Sequence, residues 1–166
     1  MSVITNLTTR LKLVSVDWLQ LSMLLLALAG LGVSAYLMWG YTVPGATLAC
    51  GASSGCETVK NSSYANLFGV PLPVWGLLSY TGLLFLLLAQ NKTTIQDRGW
   101  SPYLALAIFG LSFTGVLYSA YLTYIELFVI YAICRWCVAS AMIMTALFLL
   151  SIFNLRKSNQ PYSIER

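Results

Sequence analysis

The sequence predicts an all-α integral membrane protein built as a four-transmembrane-helix bundle. Two observations carry this. Only 8% of the 166 residues are charged and 58% are hydrophobic, against roughly a quarter charged in soluble domains. Four stretches carry no charge at all: Trp18 to Cys56, Asn61 to Asn91, Gly99 to Ile125 and Trp136 to Leu155. Each is long enough to hold a bilayer-crossing helix, which needs about 20 mostly apolar residues.

The elements follow in order. Residues 1–16 form a polar-apolar lead, and residues 17–153 form the membrane domain. Its first span is placed at Trp18–Tyr41. That apolar run is too long for a cleaved signal peptide, and no clean small-residue cleavage motif follows it. Residues 42–72 make a long outer loop. Within it, Ser54-Gly55-Cys56-Glu57 reads as a capping box, with Ser54 and Glu57 exchanging hydrogen bonds across the first turn. A short half-helix is expected to run from there through Tyr64 and Phe68 to a C-cap at Gly69, where Pro71 and Pro73 stop it. It would lie over the outer mouth of the bundle; a plain extended loop is the alternative. The second span is placed at Pro73–Ala89, the third at Pro102–Phe128 and the fourth at Ile133–Phe153, with a polar inner loop at Asn91–Ser101. The short turn between the last two spans makes them antiparallel neighbours. Gly110 and Gly115 suit close helix packing. Residues 154–166 are read as a disordered polar tail.

Charge sets the orientation. With both termini cytoplasmic, the inner side holds Arg10, Lys12, Lys92, Arg98, Arg156, Lys157 and Arg166, while the outer side holds only Lys60 and Arg135. Seven against two is a positive-inside signal. The net charge of +4 is scattered along the chain, so it marks topology and implies no nucleic-acid partner. Both cysteine pairs then fall on the periplasmic or lumenal side, where disulfides persist.

The chemistry lies in the four cysteines; there is no histidine. Cys134-Arg135-Trp136-Cys137 is a CxxC at the outer N-terminus of the fourth helix, where unpaired amides and the helix dipole favour a thiolate. Arg135 either adds to that effect or only marks the membrane surface. Cys50 and Cys56 form a second pair in the outer loop. Their spacing of six and the oxidising compartment argue against zinc, and no metal is expected. A static disulfide is the bland alternative. Two pairs suggest a relay, the loop pair meeting a soluble partner and the membrane-edge pair meeting a lipid-soluble acceptor. Without a His or Met cluster to hold haem or copper, a quinone is the natural two-electron acceptor.

Cys50 with Cys56, Ser62, Phe68-Gly69-Val70-Pro71, Gly76, Tyr118, Tyr121-Leu122 and Cys134-Arg135-Trp136-Cys137, taken in that order across four spans, resemble the vitamin K epoxide reductase family, most closely its bacterial branch. The resemblance covers about Trp18 to Phe153. It implies a four-helix bundle around a quinone of the ubiquinone, menaquinone, phylloquinone or plastoquinone type, capped by the half-helix. It implies that Cys137 meets the quinone, that Cys134 accepts electrons from Cys56, and that a thioredoxin-like partner attacks Cys50. Many bacterial members carry that partner as a fused domain; this chain runs to Arg166, so a separate periplasmic or lumenal protein is expected. The fourth position after Cys137 is Ala141, where the animal enzymes carry a quinone-binding tyrosine, which favours quinone over epoxide as the acceptor. The function so implied is thiol–quinone oxidoreduction in support of disulfide-bond formation. The alternatives are a DsbB-type quinone-linked oxidase and a non-enzymatic four-span adaptor braced by disulfides.

Five further residues are candidates for quinone contact or active-site support. Ser62 either polarises a quinone oxygen or caps a helix. Tyr118 and Tyr121, with Tyr124, recur at helical spacing and either line the pocket or form an aromatic belt. Phe68 and Trp75 lie where the lid and second helix would meet the ring; core packing is the competing reading. Glu126, outside that set, is either an interfacial charge or an intramembrane acid that shuttles a quinone proton.

Overall fold

The computed structural model of the chain describes residues 18–46, 48–50, 55–91 and 100–158. The expected N-terminal lead, Ser54 of the capping box, most of the inner loop and residues 159–166 lie outside the described residues.

The elements are α1 (Trp18–Thr42), the half-helix α2 (Gly55–Lys60), a 3₁₀ turn (Ser63–Ala65), the two-residue strands β1 (Asn66–Leu67) and β2 (Val70–Pro71), α3 (Leu72–Gln90), α4 (Ser101–Ile125) and α5 (Arg135–Ser158). A π-helical turn over Glu126–Ile130 continues α4. Four of these helices, α1, α3, extended α4 and α5, are long and apolar enough to cross a membrane. Each packs on two others: α1 on α3 and α5, and α4 on the same pair, which closes the ring. The protein is therefore an integral membrane four-helix bundle.

The fourth helix starts at Arg135, two residues later than expected, and runs on to Ser158, so Asn154–Ser158 are helix and not disordered tail. Arg156 and Lys157 fall in its last turn, where cations complement the helix dipole.

The main core joins Met23, Ala27, Tyr80, Leu83, Leu87, Ile108, Met144 and Leu147 from all four long helices. Leu and Phe side chains on the outer faces, such as Leu25, Phe85 and Leu106, are exposed, as a lipid-facing surface requires. Association of such helices rests on close packing. A Cβ at Gly30 would overlap the Tyr80 ring, and one at Gly115 would press on Met144. Gly110 has no neighbour within 4 Å, so the expected packing role holds for Gly115 alone. Buried polar groups pair across helices: Ser112 donates to Ser151 Oγ at 3.2 Å, and Asn154 Nδ2 to Gln90 Oε1 at 3.1 Å.

The outer loop departs from the expected helical run. The amide and hydroxyl of Ser62 both donate to the Val59 carbonyl, at 3.1 and 2.7 Å, and close α2 just past Lys60. The chain then turns into an antiparallel hairpin that pairs Asn66 with Pro71 and Leu67 with Val70. Phe68 and Gly69 have φ of 54° and 79°, the left-handed pair that a two-residue hairpin turn demands. Gly69 thus serves a hairpin, not a helix C-cap. The cap half of the expected capping box lies outside the described residues, and Glu57 makes two other contacts. Its Oε1 accepts the Leu48 amide at 3.2 Å, and its Oε2 pairs with Lys60 at 3.6 Å.

Candidate redox site

Three local devices bring the cysteines together. Gly55 opens α2 against the segment before α5; a Cβ there would run into the Ile133 carbonyl oxygen. The π turn ends on Tyr131, held at φ 53°. The Tyr131 and Ala132 amides both return to the Glu126 carbonyl. A left-handed tyrosine is a strained choice, and it turns the chain so that Cys134 comes back over Glu126. The third device is a clamp on the segment before Cys50. The Ala49 amide donates to Tyr36 Oη at 2.9 Å, and Trp136 Nε1 donates to the Ala49 carbonyl at 3.1 Å. The Tyr36 and Trp136 rings meet at 4.7 Å between centroids.

As a result all four cysteines share one apolar cluster with Leu37, Leu48 and Val59. Cys50 and Cys56 are joined by a disulfide with Cα atoms 6.1 Å apart. Cys134 and Cys137 are free thiols. Cys56 and Cys134 are almost fully buried, and Cys50 is 5% exposed, so a macromolecule reaches Cys50 only when the clamped segment lifts.

Cys134 occupies the cap position of α5. Its carbonyl accepts the Val138 amide at 3.0 Å, and its sulfur accepts the Cys137 amide at 3.4 Å. The Cys137 thiol also donates to that sulfur, and this is the main reason the Cys134 thiol is held below the usual cysteine range; burial and Glu126 oppose it. A depressed thiol pKa keeps the thiolate, and its contribution to stability, at pH values where an unfolded cysteine is protonated; both are lost as pH falls through the folded value. Alkylation of Cys134 in the reduced protein is therefore expected to show a midpoint below that of an unfolded thiol. Cys137→Ala removes the leading cause and should move that midpoint upward. Iodoacetamide labelling across pH, read by peptide mass, checks this, and an unmoved midpoint contradicts it.

A cavity of about 290 Å³ opens beside the CxxC. Cys56, Cys134, Cys137 and Glu126 line it; Cys50 does not. Its floor is Tyr80, whose hydroxyl bonds the Ser140 carbonyl and hydroxyl at 3.0 and 2.9 Å, together with Met144. Both floor residues belong to the main core. The walls are largely apolar, with hydroxyls from Ser34, Tyr41, Ser79, Ser119 and Thr123 set among them.

Of the expected support residues, Ser62, Trp75 and Tyr118 line this cavity. Ser62 makes no side-chain cap bond to the turn that follows it. Phe68 does not reach the cavity: it is 91% exposed at the hairpin tip, because the chain turns there instead of continuing as a lid helix. Tyr121 and Tyr124 are likewise outside the lining and more than half exposed. A step of three residues falls about 60° short of a full helical turn, so a row that starts at the cavity with Tyr118 drifts towards lipid. Arg135 is exposed and is not among the groups that shift Cys134. Tyr36, Tyr41, Tyr80 and Ser140 were not singled out in the sequence. Glu126 was, and its Oε2 accepts the Cys134 amide at 3.1 Å.

The profile of the vitamin K epoxide reductase family matches residues 21–152, most of the chain. The chain is also 34% identical over 126 residues to the thiol-disulfide oxidoreductase LTO1 of Arabidopsis thaliana. That match takes in 74% of this chain and only 33% of the plant protein, so the chain spans about a third of that relative's length. With its four-span bundle and its two cysteine pairs in one cluster, this chain belongs to the vitamin K epoxide reductase family.

Proposed function

We propose that the protein is a membrane thiol–quinone oxidoreductase that supports disulfide-bond formation. It takes electrons from a thioredoxin-like protein or domain on the periplasmic or lumenal side and passes them through Cys50–Cys56 and Cys134–Cys137 to a membrane quinone. One observation carries this reading: a loop disulfide and a reduced CxxC share one cluster, and the CxxC faces an apolar cavity. The Arabidopsis relative is a thiol-disulfide oxidoreductase by name, which supports the thiol–disulfide half.

The lining suits a quinone. Trp75 and Leu111 offer flat apolar surface, the hydroxyls of Ser34 and Tyr41 offer partners for ring oxygens, and Cys137 opens onto the same space. A volume of about 290 Å³ lies at the lower end of the range for ligand sites, roughly 300–1,000 Å³. When bound, a quinone supplies a two-electron, two-proton acceptor. The chain's own residues do the rest. A partner thiolate attacks Cys50 and releases Cys56; the partner's second thiol resolves that bond, leaving Cys50 and Cys56 reduced. Cys56 attacks Cys134 of the oxidised CxxC and releases Cys137. Cys50 then attacks Cys56, which restores the loop disulfide and leaves Cys134 and Cys137 as a dithiol. That end state matches the thiol and disulfide assignment in the structure. Oxidation of the dithiol completes the cycle.

The test is quinone reduction by the purified protein in detergent, with dithiothreitol and a short-chain quinone. Expected is dithiol-dependent reduction that saturates with quinone. No reduction by folded protein with several quinones overturns the assignment and favours the four-span adaptor.

A further inference from the structure

We infer that Glu126 is a catalytic residue, the proton acceptor for the Cys137 thiol when Cys134 and Cys137 close into a disulfide. The role deepens the proposed function, but it concerns the closure step whatever the final electron acceptor is.

Four observations converge. Glu126 is 5% exposed and lines the cavity. One carboxylate oxygen accepts the Cys134 amide at 3.1 Å, and the carboxylate lines the same cavity as the Cys137 thiol, close enough for the two groups to influence each other. Among the described residues no lysine or arginine forms an ion pair with it; the titratable groups that meet it are Cys134, Cys137 and Tyr41. It also stands at the start of the π turn that the left-handed Tyr131 closes, and such turns recur at functional sites. A buried acid without a cation is costly and needs a reason. Holding the Cys134 amide explains one oxygen only. Its place beside the Cys137 thiol gives the carboxylate a chemical task.

The step balances as follows. Cys134 thiolate attacks a disulfide RS–SR, forming Cys134–S–SR and releasing RS⁻. The Cys137 sulfur then attacks Cys134 and displaces the second RS⁻. Its proton passes to the Glu126 carboxylate, which becomes a carboxylic acid and later releases the proton to water. Two electrons leave the cysteines, and RS–SR is reduced to two thiolates. Cys134 needs no such acceptor, because it attacks as the thiolate and its sulfur already accepts the Cys137 amide at 3.4 Å.

Glu126→Gln tests this, since the amide oxygen still accepts the Cys134 N–H but cannot take a proton. In a Cys50→Ser/Cys56→Ser background, reduced protein is mixed with 2-hydroxyethyl disulfide and quenched in acid, and its species are resolved by mass. With Glu126 present, the Cys134–Cys137 disulfide is expected with little mixed disulfide. In the Glu126→Gln variant the Cys134 mixed disulfide should accumulate and close at least tenfold more slowly at neutral pH. The deficit should shrink as pH rises and hydroxide takes the proton, and Glu126→Asp should restore part of the rate. Closure at the unmodified rate, or a slowing equal at every pH, overturns the proposal. Because no quinone is used, failure of the quinone assay and failure of this one are distinguishable.

Discussion

Replacing Cys137 with alanine is expected to abolish quinone reduction by dithiols, by roughly a thousandfold or more, the scale on which deleting a covalent nucleophile acts. Cys137 has three tasks that alanine cannot share. In the proposed cycle it closes the CxxC disulfide that carries the electron pair away. Its thiol donates to the Cys134 sulfur and lowers that thiol's pKa. It also lines the cavity where the acceptor would bind. The fold should survive, because the bundle core is built from other residues. Quinone reduction by the purified variant, with circular dichroism to verify folding, checks this. Residual turnover near that of the unmodified protein would remove Cys137 from the reaction.

Gly55→Ala is expected to separate the two halves of the relay. The added Cβ meets a backbone carbonyl, that of Ile133, which cannot rotate aside as a side chain does. Overpacking of this kind costs about 1–3 kcal/mol. The strain falls on the contact that brings α2 and Cys56 to the CxxC, so transfer from the loop pair should slow by roughly five- to a hundredfold. A small dithiol that enters the cavity bypasses that contact and should support quinone reduction almost unchanged. Turnover measured with a thioredoxin-like donor and with dithiothreitol separates the outcomes. Equal loss with both donors would mean that α2 supports the whole site rather than the transfer alone.

The spans were legible because a bilayer forbids unpaired charge. The uncharged run that begins after Asp17 marks the start of α1, and the run between Arg135 and Arg156 outlines α5 closely. The cysteines were legible because their chemistry restricts what two pairs in a membrane protein can do. Contacts between distant segments were not. Trp136 reaches Ala49 across 87 positions, and Tyr36 reaches it across 13; nothing in either local pattern announces the meeting. The loop after Lys60 was misread as helix because Gly69 fits both a C-cap and a hairpin turn. The choice lay with Ser62, whose hydroxyl ends α2 by bonding Val59. Phe68 followed that error out of the cavity. Gly55 looked like one small residue of a capping motif, and its use appears only when Ile133 is placed against it.

Tyr80 and Met144 close the cavity onto a core whose members are at most 5% exposed. In the proposed reaction, reactants and products then use one end of the bundle, and the protons given up by thiols are released on the side where the thiols react. That reaction carries no charge through the full depth of the membrane. Moving one elementary charge across 100 mV is worth about 2.3 kcal/mol, and this bundle neither gains nor loses that amount per turnover. The proposed reaction is electroneutral with respect to the bilayer, driven only by the difference in reduction potential between dithiol and acceptor, and blind to the voltage across the membrane in which it sits.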